Sequence, residues 1–288
     1  MNVVIEDESK KQKKLKIFYI SIIMICIIAI IAALVIQIAQ EKEPYETGNN
    51  TNTELPELTD DKISIYKEQF KNLFENKVNY LENNAYKINK INEDEEIVYL
   101  AYQNNENKVN DYDLKVNIPY INIKNEVVDD FNKQIKEIFE AKAKNVLNTK
   151  NNNIIYTVDY TAYVSNNILS LVVRSTLKEG ANPQRDIVQT YNYDLANHEK
   201  CTIDTMLELK EITKKEAGQK IKDEIKTVQE RVDELAKLGY TIYPRDYTSD
   251  IYNINNVTEY FMGENNALYI IYAYGNDNHT SEMDIVVM

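Results

Sequence analysis

Tryptophan is absent from this 288-residue chain, and cysteine, histidine, proline and glycine are scarce at two, two, five and six residues. Each scarcity excludes something. A structural zinc site needs four Cys or His ligands, and a catalytic one needs about three, usually rich in His. With Cys26 inside the apolar run 17–38, only Cys201, His198 and His279 remain, the two histidines in unrelated turns, and no metal site is expected. The few glycines form no GxxxxGK[ST] phosphate loop, and neither HExxH nor GxSxG occurs. No cofactor and no catalytic residue are therefore assigned. Spatially paired carboxylates of a wall hydrolase leave no signature in a linear sequence, so that rival stays open.

One long hydrophobic run is present. Residues 17–38, IFYISIIMICIIAIIAALVIQI, carry no charge. At about 1.5 Å per residue they match the roughly 30 Å hydrocarbon core of a bilayer. A cleaved leader would have a shorter apolar region and a small-residue cleavage site, and Gln37-Ile38-Ala39 fits that poorly. Cys26 follows Met24 and Ile25 at mid-span, which does not suit a lipidated cysteine. A single transmembrane helix is expected. Lys10, Lys11, Lys13, Lys14 and Lys16 precede it, so the tail 1–16 is expected in the cytoplasm and the bulk outside. Cys26 and Cys201 would then lie too far apart to form a disulfide.

Charge adds a second expectation. The net charge is −13; the tail contributes five lysines against Glu6, Asp7 and Glu8, or +2, which leaves −15 for the remainder. An acidic exterior disfavours nucleic acid and anionic polymers and suits a cationic partner, although it also serves plain solubility.

Residues 39–58 mix Pro, Gly, Asn, Thr and Glu and read as a linker. A helix is expected from about Asp61, with Ile65/Tyr66, Phe70, Leu73/Phe74 and Lys77/Val78 on one stripe. Strands follow at 95–103 and 112–123, and Pro119 in the second implies a sheet edge or a strand break. Residues 125–148 read as a helix capped by Asn125, burying Val128, Phe131, Ile135, Ile138/Phe139 and Val146. Three strands come next, IIYTVDYTAYV, ILSLVVRSTL and IVQTYNYDL, with Asn166-Asn167 as a tight turn. The longest helix is expected over 213–238, with Thr213 and Glu216 as a capping box and Gly239 as the stop. Its Ile221, Ile225, Val228, Val232 and Leu235 stripe is too short for a coiled coil and suits packing on a sheet. The order implies an α+β fold of antiparallel sheets with packed helices, preceded by the transmembrane helix. Residues 59–111 form an N-terminal helix-and-strand subregion and 112–288 the main extracytoplasmic domain.

Tyrosine, by contrast, is abundant at 22 residues. Tyrosine favours strands, and most of these lie in strand patterns. The stretch LGYTIYPRDYTSDIYNINNVTEYF (238–261) has little periodicity, so its Tyr243, Tyr247 and Tyr252 are candidate partner-binding anchors. The end of the chain, GNDNHTSEMDIVVM, crowds Asn278, His279, Thr280, Ser281, Glu282 and Asp284 together. Catalytic triads draw on separate elements, so this reads as a polar turn at 275–281 feeding a last strand.

That hairpin, FMGENNALYIIYAYG followed by SEMDIVVM, resembles the end of the RsiV-like extracytoplasmic domain family, DUF3298, with its related DUF4163-type N-terminal half. Upstream, LKEGANPQRDIVQTYNYDLANHEKCTIDTML is similar to that family's glycine-alanine turn, YNYDL-type strand and short helical lead-in. The resemblance covers about 112–288. It implies a membrane-anchored binding or sensing module of the bacterial cell envelope, since family members include an anti-sigma factor whose outer domain binds lysozyme. Other members form the N-terminal part of membrane-anchored peptidoglycan deacetylases. A cationic extracellular protein such as lysozyme is thus the expected partner; an anti-sigma-like transducer and a structural wall-associated protein are alternatives. Here Asn197-His198-Glu199 stands where the family has a glycine-containing turn. The inner tail of about 16 residues is short for a sigma-binding segment, and no deacetylase domain follows in this sequence.

Overall fold

The computed structural model describes residues 67–81, 88–274 and 282–288. The expected tail, membrane span and linker, the first residues of the 61–78 helix and the 275–281 turn lie outside the described residues. Among the described residues no helix is long and apolar enough to cross a membrane. The chain divides into two compact units, Met1–Glu54 and Leu55–Met288, and every described residue belongs to the second.

The strands are β1 (Val78–Tyr80), β2 (Val98–Lys108), β3 (Tyr112–Ile121), β4 (Ile154–Ser165), β5 (Ile168–Glu179), β6 (Arg185–Asp194), β7 (Glu199–Lys200), β8 (Glu259–Met262), β9 (Leu268–Tyr274) and β10 (Glu282–Val287). Strands β2 to β7 lie in sequence order in a seven-stranded sheet that β1 joins through β4, and β10-β9-β8 form a second sheet. Helices α1 (Glu126–Ile135) and α2 (Ala141–Leu147) are joined by a π turn, Lys136–Glu140. Helices α3 (Ile203–Leu209) and α4 (Lys214–Lys237) follow later in the chain.

Four layers result. The apolar stripe of α1 and α2, with Val128, Phe131, Ile135, Phe139 and Val146, packs on one face of the large sheet against residues such as Leu114, Val158 and Leu171. The other face presents Tyr163, Val172 and Val188 to Phe261, Tyr269 and Ile271 of the small sheet. The far side of the small sheet buries Tyr260, Met262, Ile270 and Val286 under Met206 of α3 and Ile221 and Ile225 of α4. Each fully buried aliphatic or aromatic side chain contributes roughly 1.5–3 kcal/mol relative to exposure. The alternation of period two along β8 and β9 lets one small sheet serve two cores.

Local signals act as the sequence implies. Asn125 accepts a hydrogen bond from the Val127 N–H at 2.8 Å. Thr213 and Glu216 close the capping box of α4. At the other end of α4 the Tyr240 and Gly239 N–H groups reach Leu235 and Ala236 carbonyls, with Gly239 at φ +88°. That is the Schellman arrangement, which glycine accommodates without strain. Asn166 and Asn167 both take positive φ, 50° and 59°, as a two-residue hairpin turn requires.

Three expectations are corrected. The sheets are not all antiparallel: β3 pairs β4 in parallel, as does β1. α1 and α2 are the crossover that parallel pairing of β3 and β4 demands. The first helical stripe does not reach Val78; helix ends in a 3₁₀ turn at Phe70–Asn72, and Val78 lies in β1. Phe70 is still buried, against the small sheet. Of the two readings of Pro119, the break fails, since its strand runs to Ile121, and the edge-like position holds. Pro119 lies beyond the five residues of β3 that pair with β4, opposite the β2 bulge between Leu100 and Tyr102. A missing N–H is tolerated at such a place.

Candidate binding groove

The small sheet docks on the large one through a buried polar seam. The Met262 N–H donates to Ser170 Oγ at 3.2 Å, and Ser170 donates to Asn192 Oδ1 at 2.8 Å. Asn192 Nδ2 donates to the Tyr260 carbonyl at 2.7 Å, and the Tyr260 N–H donates to Thr190 Oγ1 at 3.1 Å. These bonds satisfy the outer main-chain edge of β8, which would otherwise be costly to bury.

Where the seam ends at Glu259, a groove of about 560 Å³ opens between β6, the 250–258 loop, β8 and β9. Val188 and Ile271 belong to its buried wall, and Ile187 and Ile251 are exposed at 39% and 49%. Its three acids differ in state. Asp186 is bound by Arg174 at 3.2 Å and by the Thr176 hydroxyl at 2.8 Å. Glu259 Oε2 accepts the Thr190 N–H at 2.7 Å and the Thr190 hydroxyl at 3.0 Å. Burial raises the Glu259 pKa; the Thr190 bonds and the more distant Lys200 charge pull the other way without cancelling it. The exposed Asp250 carboxylate has no hydrogen-bond or ion-pair partner among the described residues. Among the described residues no Lys, Arg or His lines the groove. Tyr272, also in the lining, keeps a hydroxyl without a partner among the described residues.

The three candidate tyrosines do not share one surface. Tyr252 is 1% exposed and meets Tyr272 edge-on at 5.0 Å, so it is a core side chain and not a surface anchor. The 3₁₀ turn Asp250–Tyr252 turns it inward while leaving Asp250 and Ile251 outside. Tyr243 is half-buried beside the α4 core, with the Arg245 guanidinium 5.8 Å from its ring centre. Only Tyr247, 38% exposed, offers much of its ring to solvent. The stretch flagged for its tyrosines nonetheless builds one wall of the groove, through Asp250, Ile251 and Asn256.

The C-terminal polar crowd is divided. Asn278, His279, Thr280 and Ser281 lie outside the described residues. Asp284 is held by Arg245 through two bonds, Nε–Oδ2 at 3.0 Å and Nη2–Oδ1 at 3.2 Å, and Glu282 takes Nη1 at 2.7 Å. His198 occupies the left-handed region at φ 60°, the conformation a glycine would take most easily in that turn. Asp194 supports it by accepting the Ala196 and Asn197 N–H groups. Among the described residues no group of three or more His, Cys, Asp or Glu could hold a metal ion.

No family model matches the chain, and no curated protein matches it. Solved structures do. The chain is similar to a DUF3298 family protein from Pseudomonas aeruginosa, at 12% identity and a TM-score of 0.36, over 60% of this chain and 80% of that one. It is also similar to a DUF3298 family member from Bacteroides fragilis, at 13% identity and a TM-score of 0.30, over 61% of this chain and 80% of that one.

Proposed function

We propose that this protein is a single-pass, membrane-anchored binding or sensing module of the bacterial cell envelope. Its N-terminus is cytoplasmic, its bulk is extracytoplasmic, and the exterior takes a cationic protein such as a lysozyme-like muramidase. The observation that carries this reading is the groove itself, where Asp250 and Glu259 meet no cation among the described lining residues. The −15 balance outside the expected span supports it, being −13 for the chain less +2 for the tail. Anchoring rests on the uncharged run 17–38, and the sensing role on the RsiV-like resemblance of the C-terminal half. A non-enzymatic role fits a groove whose described lining residues include no Ser, Cys or His to serve as nucleophile or its base.

Complementary charge chiefly speeds encounter, so the association rate with lysozyme should fall steeply as salt rises, while dissociation changes little. Stopped-flow titration of the full chain in nonionic detergent micelles across a salt series measures both. Absence of heat and of any thermal shift with lysozyme at low ionic strength would overturn the reading. Release of muropeptides from peptidoglycan, abolished by carboxylate substitution, would replace it with a hydrolase. Protease shaving of intact cells tests topology: the 60–288 region should be removed without lysis.

A further inference from the structure

β6 is an edge strand for most of its length. It pairs with β5 from Leu177↔Arg185 to Ile168↔Asp194, but β7 covers its other side only at Tyr193 and Asp194. Among the described residues no strand pairs with that side from Arg185 to Thr190. Two bonds fix which main-chain groups face outward. The Thr190 N–H donates to Glu259, and the Asn192 carbonyl accepts from the Cys201 N–H. Main-chain groups alternate sides along an antiparallel strand, so those of Val188 and Asp186 face out of the same edge, toward the groove. At about 3.3 Å per residue, the stretch from Arg185 to Thr190 spans roughly 20 Å, the length of an ordinary strand.

Folded proteins guard open edges with lysine, proline or a bulge. The opposite edge of the same sheet is guarded: β2 carries the Leu100/Tyr102 bulge and ends at Lys108. β6 has neither device. DIVQTYNYD contains no lysine or proline, and its register with β5 runs without a shift. Beside this edge stand the Asp250 and Glu259 carboxylates and the exposed Ile187 and Ile251.

We propose that the β6 edge takes an extended segment of a cationic protein as an added strand. Main-chain bonds would go to Asp186 and Val188, basic side chains would face Asp250 and Glu259, and an apolar one would sit between Ile187 and Ile251. This deepens the cationic-partner reading and rests on it. Charge decides against a second copy of this chain as occupant, because edge-to-edge pairing would bring two acidic grooves together on molecules of net charge −13.

The test uses the full chain in nonionic detergent micelles and three capped peptides. One is a hexapeptide alternating valine and lysine, one is the same peptide N-methylated at alternate amides, and one is a lysine-serine-glycine peptide of equal charge. The first should bind at low salt and slow hydrogen exchange at the Val188 amide. N-methylation should weaken it at least about tenfold by removing main-chain donors. The double variant Asp250→Asn/Glu259→Gln keeps the acceptor for Thr190 and should weaken binding by about five- to tenfold, with a thermal midpoint no lower than that of the wild type. Equal affinity for all three peptides, or binding of none, overturns strand addition. Protection of Val188 by self-association alone assigns the edge to a second copy and overturns it too. Lysozyme binding that survives failure of the hexapeptide leaves the cationic-partner reading standing without strand addition. Hexapeptide binding without lysozyme binding does the reverse.

Discussion

Asp284 and Glu259 lie on the two strands that flank β9, opposite neighbouring residues: Asp284 pairs with Tyr272 and Glu259 with Ile271. Their surroundings could hardly differ more. Asp284 is 8% exposed and held by the Nε and Nη2 groups of Arg245. Among the described residues Glu259 has the neutral donors of Thr190 and, more loosely, Gln189 at 3.4 Å, and it opens on a groove with no lining cation among them. An acid closed by an arginine holds two pieces of chain together, here the 243–247 loop and β10. An acid left with neutral donors keeps charge available for something arriving from outside.

Breaking the closed site should have the largest effect. Arg245→Met removes the partner of a buried carboxylate, which costs about 3–5 kcal/mol because the remaining charge stays desolvated. A lowered urea midpoint of the full chain in micelles checks this. Adding Asp284→Leu should restore most of the loss, since the uncompensated charge goes with it. If the single variant matches the wild type, the two sites do not differ in the way described.

The next comparison sets two tyrosines of one stretch against each other. Tyr252→Ala empties a site that is 1% exposed and removes the edge-on contact with Tyr272. A loss of about 3 kcal/mol is expected from such a large-to-small change. Tyr247→Ala, at a side chain 38% exposed, should stay within about 0.5 kcal/mol in the same melt. Any change that Tyr247→Ala makes in lysozyme dissociation then belongs to the interface. The same change at Tyr252 would only report unfolding.

These contrasts show where the sequence was legible. The 3.6-residue stripe of 125–148, the Asn125 and Thr213 caps, the Gly239 stop and the Asn166-Asn167 turn are local devices, and each acts as its residues imply. Parallel pairing was not legible, because β1 is only three residues long and owes its place to β4, more than 80 positions away in register. The groove was only partly legible. Asp186, Asp250, Glu259 and Tyr272 come together from β6, a 3₁₀ turn, β8 and β9, and no spacing in the sequence links them. One signal was available: a strand free of lysine and proline after Arg185, in a chain that elsewhere carries many lysines. The tyrosine-rich stretch pointed to the right wall for the wrong residues, since Tyr is both a strand former and an interface residue. Burial alone separates those roles at Tyr252 and Tyr247.

The smallest expected effect concerns the open acid and depends on pH. Burial lifts the Glu259 pKa above the ordinary 4.5, against the Thr190 bonds and Lys200. A carboxyl whose pKa is raised by folding binds its proton more tightly in the folded state. Its contribution to stability is therefore complete below the unfolded value and is lost as pH rises through the raised folded value. Glu259→Gln removes that dependence while a side-chain carbonyl still accepts from Thr190. The variant and the wild type should thus have similar midpoints below about pH 4.5 and diverge above it, with the variant the more stable at neutral pH. Taking the difference between the two cancels the acids that titrate in the opposite sense, among them Glu140, held low by Lys144 and Tyr120 despite its burial. Tyr191 and Tyr260, which feel the Glu259 charge and have raised pKa values, stay protonated through this range. Urea midpoints at a series of pH values supply the curve. A variant less stable than the wild type at neutral pH would mean that the Glu259 charge serves the fold as Asp284 does, and the contrast between the two acids would collapse.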